Sequence, residues 1–288
     1  MVQLRRNAPW SATLVVLALV AGCGASPTVR PEAAVQPGPA PSSAPPSFPP
    51  GTPPVSPSPS VSLPAGSVAL TSSELARVPQ FGPPPVAVPM TLPRGDSAPW
   101  ISRIPTSQKV AFITIDDGWE KNPKAFALLT AAHVPVTLFL QVDAIKSDVE
   151  HFKPLIAAGA TVEAHTITHQ QLKGRSYGVQ KREICGSADQ LGQWYGRRPT
   201  LFRPPFGAKD ATTLRAAHDC GMKGVFFWKE ATNKGKVYYQ EKHVVQPGDV
   251  ILMHFRPAFV NDFLAVLKAI HDAGLTPARL QDYIPGAA

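Results

Sequence analysis

Apolar and polar residues alternate in two distinct ways between residue 109 and the end of the chain. Short β-branched runs between Gly, Pro and polar residues predict buried strands, and apolar positions three and four apart predict helices. The predicted strands cover residues 110–115, 134–140, 161–164, 201–203, 224–228 and 250–253. The predicted helices cover residues 123–132, 147–158, 178–195, 211–220 and 257–273. This alternation predicts a parallel α/β fold, which binds ligands at the carboxyl ends of its strands.

The N-terminal residues predict export. Arg5 and Arg6 precede an apolar stretch at residues 12–21. Helical residues over that stretch span about 15 Å, half of the hydrocarbon layer, so residues 1–22 are predicted to be a secretory signal peptide. The signal ends in a sequence that resembles a bacterial lipobox, which predicts a lipid on Cys23 and a membrane anchor on the extracytoplasmic face. An ordinary signal peptide with a chance Cys is the alternative.

Proline dominates the segment that follows. Of the 33 prolines, 20 lie between residues 24 and 94. Such a segment buries too little apolar surface to offset the entropy of its own ordering, so residues 23–66 are predicted to be a disordered linker. Residues 67–105 are expected to be a lead-in, with a short helix at 72–77, that packs on a catalytic domain at 106–288.

Charge and cysteine content fit an exported protein. The net charge is +8, of which residues 95–288 carry +5, and this excess suits an anionic wall polymer or a membrane surface. No basic stripe interleaved with aromatic residues is present, so nucleic acid is not an expected partner. We expect a monomer. Besides Cys23, the chain has Cys185 and Cys220, which predict either a disulfide or two buried free thiols.

Two adjacent carboxylates, Asp116 and Asp117, follow the first predicted strand of this α/β region, and Gly118 allows a sharp turn after them. Adjacent aspartates repel each other unless a cation compensates. One of them can bind a metal while the other acts as a base. A solvated turn is the alternative.

His165 and His169 follow the third predicted strand. A spacing of four lets both imidazoles meet one metal if the segment is a helical turn. Zinc proteases with this spacing carry a Glu base after the first His, where this chain has Thr166. Two histidines and one carboxylate form a three-ligand site with open positions, as a catalytic metal requires. Packed or capped histidines are the alternative.

Arg203 and His254 also fall at or just after the ends of predicted strands. Arg203 is a cation that can hold an aspartate ionised, and His254 can serve as a general acid because its pKa lies near working pH. A surface arginine and a core histidine are the alternatives when each is taken alone.

The four motifs together, in this order, resemble those of the polysaccharide deacetylase family, also called carbohydrate esterase family four or the NodB-homology domain. The matching segments are Thr114-Ile115-Asp116-Asp117-Gly118, His165-Thr166-Ile167-Thr168-His169, Arg203-Pro204-Pro205-Phe206-Gly207 and Ile251-Leu252-Met253-His254. The resemblance covers roughly residues 106–285 and implies a distorted (β/α) barrel with its site at one mouth.

The resemblance also implies roles for single residues. Asp117, His165 and His169 would bind a divalent metal, with zinc expected first and cobalt, nickel or manganese as alternatives. Asp116 would be the base, held by Arg203, and His254 the acid. The backbone N–H of Phe206 would stabilise the oxyanion, and Trp228 and Leu252 would wall an acetyl pocket. For the last two residues, a plain core position is the alternative.

One position departs from the family pattern. The family places an Asp shortly after the Trp of its fourth motif, where it tunes the catalytic His. Here Trp228 is followed by Lys229 and Glu230, with no Asp. The residue that sets the orientation and pKa of His254 in the family is therefore absent from its usual position.

These observations predict metal-dependent removal of N-acetyl groups from a cell-envelope glycan. Peptidoglycan is the first expected substrate and chitin-type oligomers the next. An O-acetyl xylan-type esterase is a close variant that needs the same residues. A catalytically weak glycan-binding protein on the same fold is the alternative from another class.

Overall fold

The structure, a computed structural model, describes residues 63–288. The predicted signal peptide at 1–22, the predicted lipid site Cys23 and most of the predicted linker lie outside the described residues. Among residues 63–288, no helix is both long and apolar enough to cross a membrane.

Ten strands and seven α-helices make up the described part of the chain. The strands are β1 Trp100–Ile101, β2 Val110–Asp117, β3 Val136–Leu140, β4 Ala160–Ala164, β5 Leu201–Phe202, β6 Gly224–Phe226, β7 Glu230–Asn233, β8 Lys236–Tyr239, β9 Val250–His254 and β10 Thr276–Pro277. The helices are α1 Ser72–Leu75, α2 Ala125–Ala132, α3 Val142–Ile145, α4 Lys153–Ala157, α5 Tyr177–Tyr195, α6 Ala211–Asp219 and α7 Phe259–Asp272. Short 3₁₀ turns cover Val149–Phe152, Pro205–Gly207 and Leu280–Tyr283.

One sheet, almost entirely parallel, carries the fold. Its strand order is β1-β6-β5-β4-β3-β2-β9-β7-β8, and β10 pairs with β2. Only the β7–β8 hairpin is antiparallel among the named strands. An isolated bridge joins Arg103, just after β1, to Asp249, just before β9, so the sheet curls back on itself. The predicted distorted (β/α) barrel is confirmed in this form.

Strand β2 lies at the centre of the sheet and separates two cores. Val110 and Phe112 belong to an inner cluster, whereas Ala111 and Ile113 belong to an outer cluster that includes residues of the helices. This alternation follows from the two-residue period of a strand. The next inward positions after Phe112 are polar, so the inner core ends where the carboxyl end of the strand begins.

The expected lead-in at 67–105 packs on the domain and also contributes to the sheet. The N–H of Val68 donates to the carbonyl of Pro123 at 2.8 Å, and the N–H of Met90 donates to that of Tyr283 at 2.9 Å. Helix α1 begins with a capping box between Thr71 and Glu74. Because β1 pairs with β6, strand structure begins before residue 106.

Cys185 and Cys220 form a disulfide, with Cα atoms 5.0 Å apart. Cys185 is in α5 and Cys220 directly follows α6. The bond therefore ties two helices on the outside of the sheet and is not part of the strand ends.

Glu230 is the first residue of β7. It belongs to a buried charged cluster that lies away from the carboxyl ends of the parallel strands. It pairs in register with Ile251, three positions before His254. Burial and the neighbouring Asp249 carboxylate raise the pKa of Glu230 to about 9. Asp249 is itself bound by Arg103. Glu230 therefore keeps its proton at neutral pH.

This proton makes stability depend on pH. The folded state holds it up to about pH 9, whereas the unfolded state releases it near 4.5, so the free energy of unfolding falls as pH rises between these values. We expect Glu230→Gln to remove this slope and to stabilise the protein by on the order of 3 kcal/mol at pH 7. Urea unfolding from pH 5 to 9 measures it.

Glu241→Gln is the matched control for Glu230→Gln. The ion pair with Lys229 lowers the pKa of Glu241, so this carboxylate stays ionised across the window. The control should keep the slope of the wild-type protein. A slope that also persists in Glu230→Gln would contradict the assignment.

Candidate active site

The carboxyl end of β2 turns sharply, and the turn separates its two aspartates. Asp116 points into the barrel, whereas Asp117 has a φ of 76°, in the left-handed region. Gly118 follows with a φ of 106°, and a Cβ there would lie 2.5 Å from Ile145 Cγ2. The turn therefore requires glycine, and it gives the two carboxylates different surroundings.

Asp116 is paired with a fully buried cation. Arg203 Nη1 donates to Asp116 Oδ1 at 2.6 Å and to Thr114 Oγ1 at 2.8 Å, and Arg203 Nη2 donates to the carbonyl of Phe227 at 3.2 Å. The Arg203 side chain is 0% exposed and that of Asp116 is 3% exposed. The Arg203 guanidinium also lies over the Phe139 ring, 4.4 Å from the ring centroid. Each buried charge therefore compensates the other, which a buried pair requires.

The histidine segment is a loop, which corrects the helical turn considered from its spacing. Thr166 and His169 have φ values of 68° and 60°, in the left-handed region. Glu183, from α5, holds this loop by accepting hydrogen bonds from the backbone N–H groups of Ile167 and Thr168 at 3.0 Å each. The strained backbone of the loop, not helical periodicity, brings the two imidazoles together.

Asp117, His165 and His169 converge on one point. Asp117 Oδ1 lies 3.4 Å from His165 Nε2 and 3.3 Å from His169 Nε2. One ligand atom from each residue lies within 4.8 Å of the others. Asp117 Oδ1 is buried and has no hydrogen-bond partner among the described residues. Two imidazole nitrogens and one carboxylate oxygen are a donor set that zinc accepts.

The surroundings of this cluster also favour a cation. His165 Nδ1 lies 2.7 Å from the carbonyl of Arg203, which can only accept, so Nδ1 carries the proton and Nε2 faces Asp117. Burial lowers the pKa of His165, but the charges of Asp116 and Asp117 outweigh burial and raise it. Burial raises the pKa of Asp117, but the two imidazoles outweigh it and hold the pKa far below its ordinary value. The cluster therefore attracts positive charge.

His254 lies on β9, the strand that neighbours β2 and its two aspartates. It ends β9 in register with Asp116, so its side chain faces the same side of the sheet. Burial lowers the pKa of His254. Its Nδ1 is buried and has no hydrogen-bond partner among the described residues. Because Glu230 lies three positions away in register, it does not take the place of the missing fourth-motif Asp.

The three predicted pocket residues differ in exposure. Phe206 is 66% exposed, with a φ of 60°, and its ring lies 4.9 Å from that of His169. Trp228 is partly buried and stacks on Phe227 at 4.0 Å. Leu252 is 3% exposed and lies on the inner face, two positions before His254. All three lie at or next to the carboxyl ends of strands.

Two residues of the site were not predicted from the sequence. Thr114 bridges Arg203 to β9 by donating to the carbonyl of Ile251 at 2.6 Å. Thr114 lies two residues before Asp116, so both side chains face inward from β2. This spacing is the sequence signal that could have identified Thr114 as a site residue. Glu183 has no such signal, because a Glu in an amphipathic helix is usually exposed.

Comparisons with known proteins found a matching family and several relatives. The family model described as polysaccharide deacetylase matches residues 103–225. An uncharacterized protein of Streptomyces coelicolor is 33% identical over 196 residues, which cover 65% of this chain and 77% of that protein. A peptidoglycan-N-acetylglucosamine deacetylase of Bacillus cereus is 26% identical, over 52% of this chain and 75% of its own.

A solved structure shows the same fold. It is a pseudoenzyme of carbohydrate esterase family four from Bacillus anthracis, with a TM-score of 0.57 and 19% identity. The match covers 65% of this chain and 69% of the other.

Proposed function

The chain belongs to the polysaccharide deacetylase family, and we propose that it removes N-acetyl groups from a cell-envelope glycan by metal-dependent hydrolysis. One observation supports this proposal above the others. The adjacent carboxylates have separate partners, because Asp116 pairs with Arg203 at 2.6 Å while Asp117 faces two imidazoles. One carboxylate is thus left as a base beside a three-ligand metal site.

The residues of the site can perform each proton transfer of the hydrolysis. Asp117, His165 and His169 would hold the metal, which when bound polarises the acetyl carbonyl and acidifies water. Zinc fits this donor set first, with cobalt, nickel or manganese as alternatives.

Other residues of the site supply the base, the oxyanion donor and the acid. Asp116 accepts a proton from water, and Arg203 holds its carboxylate in position by the hydrogen bond at 2.6 Å. The backbone N–H of Phe206, in a turn where φ is 60°, would donate to the oxygen on which charge develops. His254 protonates the departing nitrogen, so acetate and a free amine leave the site. Each proton-transfer step contributes about 10²–10⁴-fold to the rate.

Peptidoglycan is the substrate we propose first. The Bacillus cereus relative is named for its action on peptidoglycan, and the mild positive charge of the chain suits an anionic wall. A lipid anchor on Cys23, at the extracytoplasmic face of the cell membrane, would hold the domain close to such a substrate. Chitin-type oligomers come next, and O-acetylated xylan is the close variant.

A catalytically weak glycan-binding protein is the second candidate. The buried Nδ1 of His254 has no hydrogen-bond partner among the described residues, so the acid lacks the support that the family's fourth motif supplies. Such a site would bind a glycan and release acetate slowly.

Acetate release separates these candidates. The full chain, loaded with zinc or cobalt, should release acetate from N-acetylglucosamine oligomers and from peptidoglycan, and a chelator should stop it. Acetylated xylan serves as the third substrate. No acetate from any of the three, with the metal bound, would overturn the deacetylase and favour the binding protein.

A further inference from the structure

The loop that precedes α5 and the first turns of that helix are rich in positive charge. Residues 169–182 hold four basic residues and no acidic one. Lys173 and Arg175 are exposed in the loop, and Lys181 is partly exposed on α5. Like charges that a fold holds together create a stronger local potential than scattered charges do.

The fold places a further cation, Arg215 of α6, beside this run. Arg215 Cζ lies 4.6 Å from the centroid of the Tyr177 ring, and Lys181 Nζ lies 5.6 Å from the same centroid. The loop is fixed to the start of α6, because the N–H of Gly174 donates to Asp210 Oδ2 at 2.7 Å. We call the resulting surface the basic patch; it consists of Lys173, Arg175, Lys181 and Arg215.

The cations of the basic patch have no carboxylate partner of their own. Within residues 63–288, none of the four lies within 4.0 Å of a carboxylate oxygen. The two carboxylates beside the patch have other partners, since Asp210 Oδ1 accepts from the N–H of Thr213 at 2.8 Å and Asp219 Oδ2 accepts from the Tyr177 hydroxyl at 2.5 Å. Four cations against two carboxylates leave an excess of positive charge that can attract an anion from outside the chain.

The backbone under the basic patch is held in place. The disulfide between Cys185 and Cys220 ties α5 to the end of α6. Gln180 Nε2 donates to the carbonyl of Arg175 at 2.9 Å and so fixes the loop to α5. Because this surface is ordered before it meets a ligand, less entropy is lost on binding.

The surroundings of the basic patch favour a polymer over a lipid surface or a nucleic acid. None of the exposed large apolar side chains of the described residues lies within residues 170–182 or 208–219, and a surface that rests on a membrane inserts such groups. The Tyr177 ring lies against two cations, so it is not free to stack on a base. Lysine and arginine charges that are spread over a loop and two helices suit a chain of phosphate groups.

We propose that the basic patch is a docking surface for an anionic polymer of phosphodiester units. The patch is carried by α5, α6 and the loop between the histidines and α5, and it contains no residue of the metal site. It would hold the domain against the polymer through charge. The proposal concerns binding alone and does not depend on the proposed hydrolysis.

Binding of labelled poly(glycerol phosphate) to the full chain tests the basic patch. We expect Arg175→Gln/Lys181→Gln/Arg215→Gln to bind about tenfold more weakly than the wild-type chain at about 50 mM salt, and the slope of log K against log salt to fall by about 2. The matched control is Lys234→Gln/Lys236→Gln/Lys242→Gln, which removes three exposed cations and the same net charge. The control should keep the wild-type Kd and slope.

Thermal unfolding shows whether the loss of binding comes from the charges or from the fold. If the patch variant has a lower Tm than the control, Lys173→Gln/Arg175→Gln repeats the test, because both side chains are exposed in the loop. This double variant should lower the slope by about 1.5.

Three results would overturn the docking surface. Equal weakening in the patch variant and in the control would make the binding a matter of net charge. No binding of poly(glycerol phosphate) by the wild-type chain at low salt would remove the polymer as the partner. Binding to phosphatidylglycerol vesicles or duplex DNA that is as tight as binding to the polymer, and equally weakened in the patch variant, would assign the patch to a lipid surface or a nucleic acid instead.

Discussion

The Asp116→Asn variant is expected to lose acetate release by roughly 10²–10⁴-fold while it still binds zinc. Asn keeps the shape of the side chain and an oxygen for Arg203 Nη1, which lies 2.6 Å from Asp116 Oδ1. It cannot accept a proton from water. The metal ligands are on other side chains, so the loss should appear in kcat and not in metal content.

Asp143→Asn is the control for Asp116→Asn. Asp143 is in α3 and pairs with Lys146 at the surface, so its variant should keep the wild-type rate. Turnover by Asp116→Asn at the wild-type rate would remove Asp116 as the base. Loss of zinc together with activity would instead make Asp116 a metal ligand.

The Arg203→Met variant is expected to lose about 3–5 kcal/mol of stability, because it leaves the Asp116 carboxylate buried without a partner. Methionine fills much of the same space without the charge. Urea unfolding measures the loss. The double variant Arg203→Met/Asp116→Asn should recover part of it, since no uncompensated charge then remains.

Lys268→Met gives the comparison with an exposed pair. Lys268 pairs with Asp272 on α7, and both side chains are more than half exposed. Its loss should leave the free energy of unfolding close to that of the wild-type protein. An equal loss in Lys268→Met and Arg203→Met would mean that burial of the Arg203 pair has no consequence.

The fold and the residues of the site could be predicted from the sequence because a parallel sheet gathers its strand ends. The β2 run predicts a buried strand, and the polar residues at the carboxyl ends of β2, β4 and β9 must then meet at one edge. The limits of α5 and α6 differ from the prediction by one residue at one end, whereas the helix predicted at 147–158 is a 3₁₀ turn at Val149–Phe152 followed by α4.

What could not be predicted depends on backbone conformation and on register. The spacing of His165 and His169 fits a helical turn as well as a loop, and only the positive φ values of the loop decide between them. Glu230 is close to Trp228 in sequence, but the pairing of β7 with β9 carries it away from His254. Short strands such as β1 and β10, with two residues each, have too few positions to show an alternation.

The direct test of the metal site is a zinc titration of the full chain followed by calorimetry. The wild-type chain should bind one zinc ion tightly, and His165→Ala/His169→Ala should bind none at the same concentration. His218→Ala/His271→Ala, which removes two histidines paired with aspartates at the surface, should bind zinc as the wild-type chain does. Equal affinity and stoichiometry in the wild-type chain and in His165→Ala/His169→Ala would contradict the assignment of Asp117, His165 and His169 as the metal ligands.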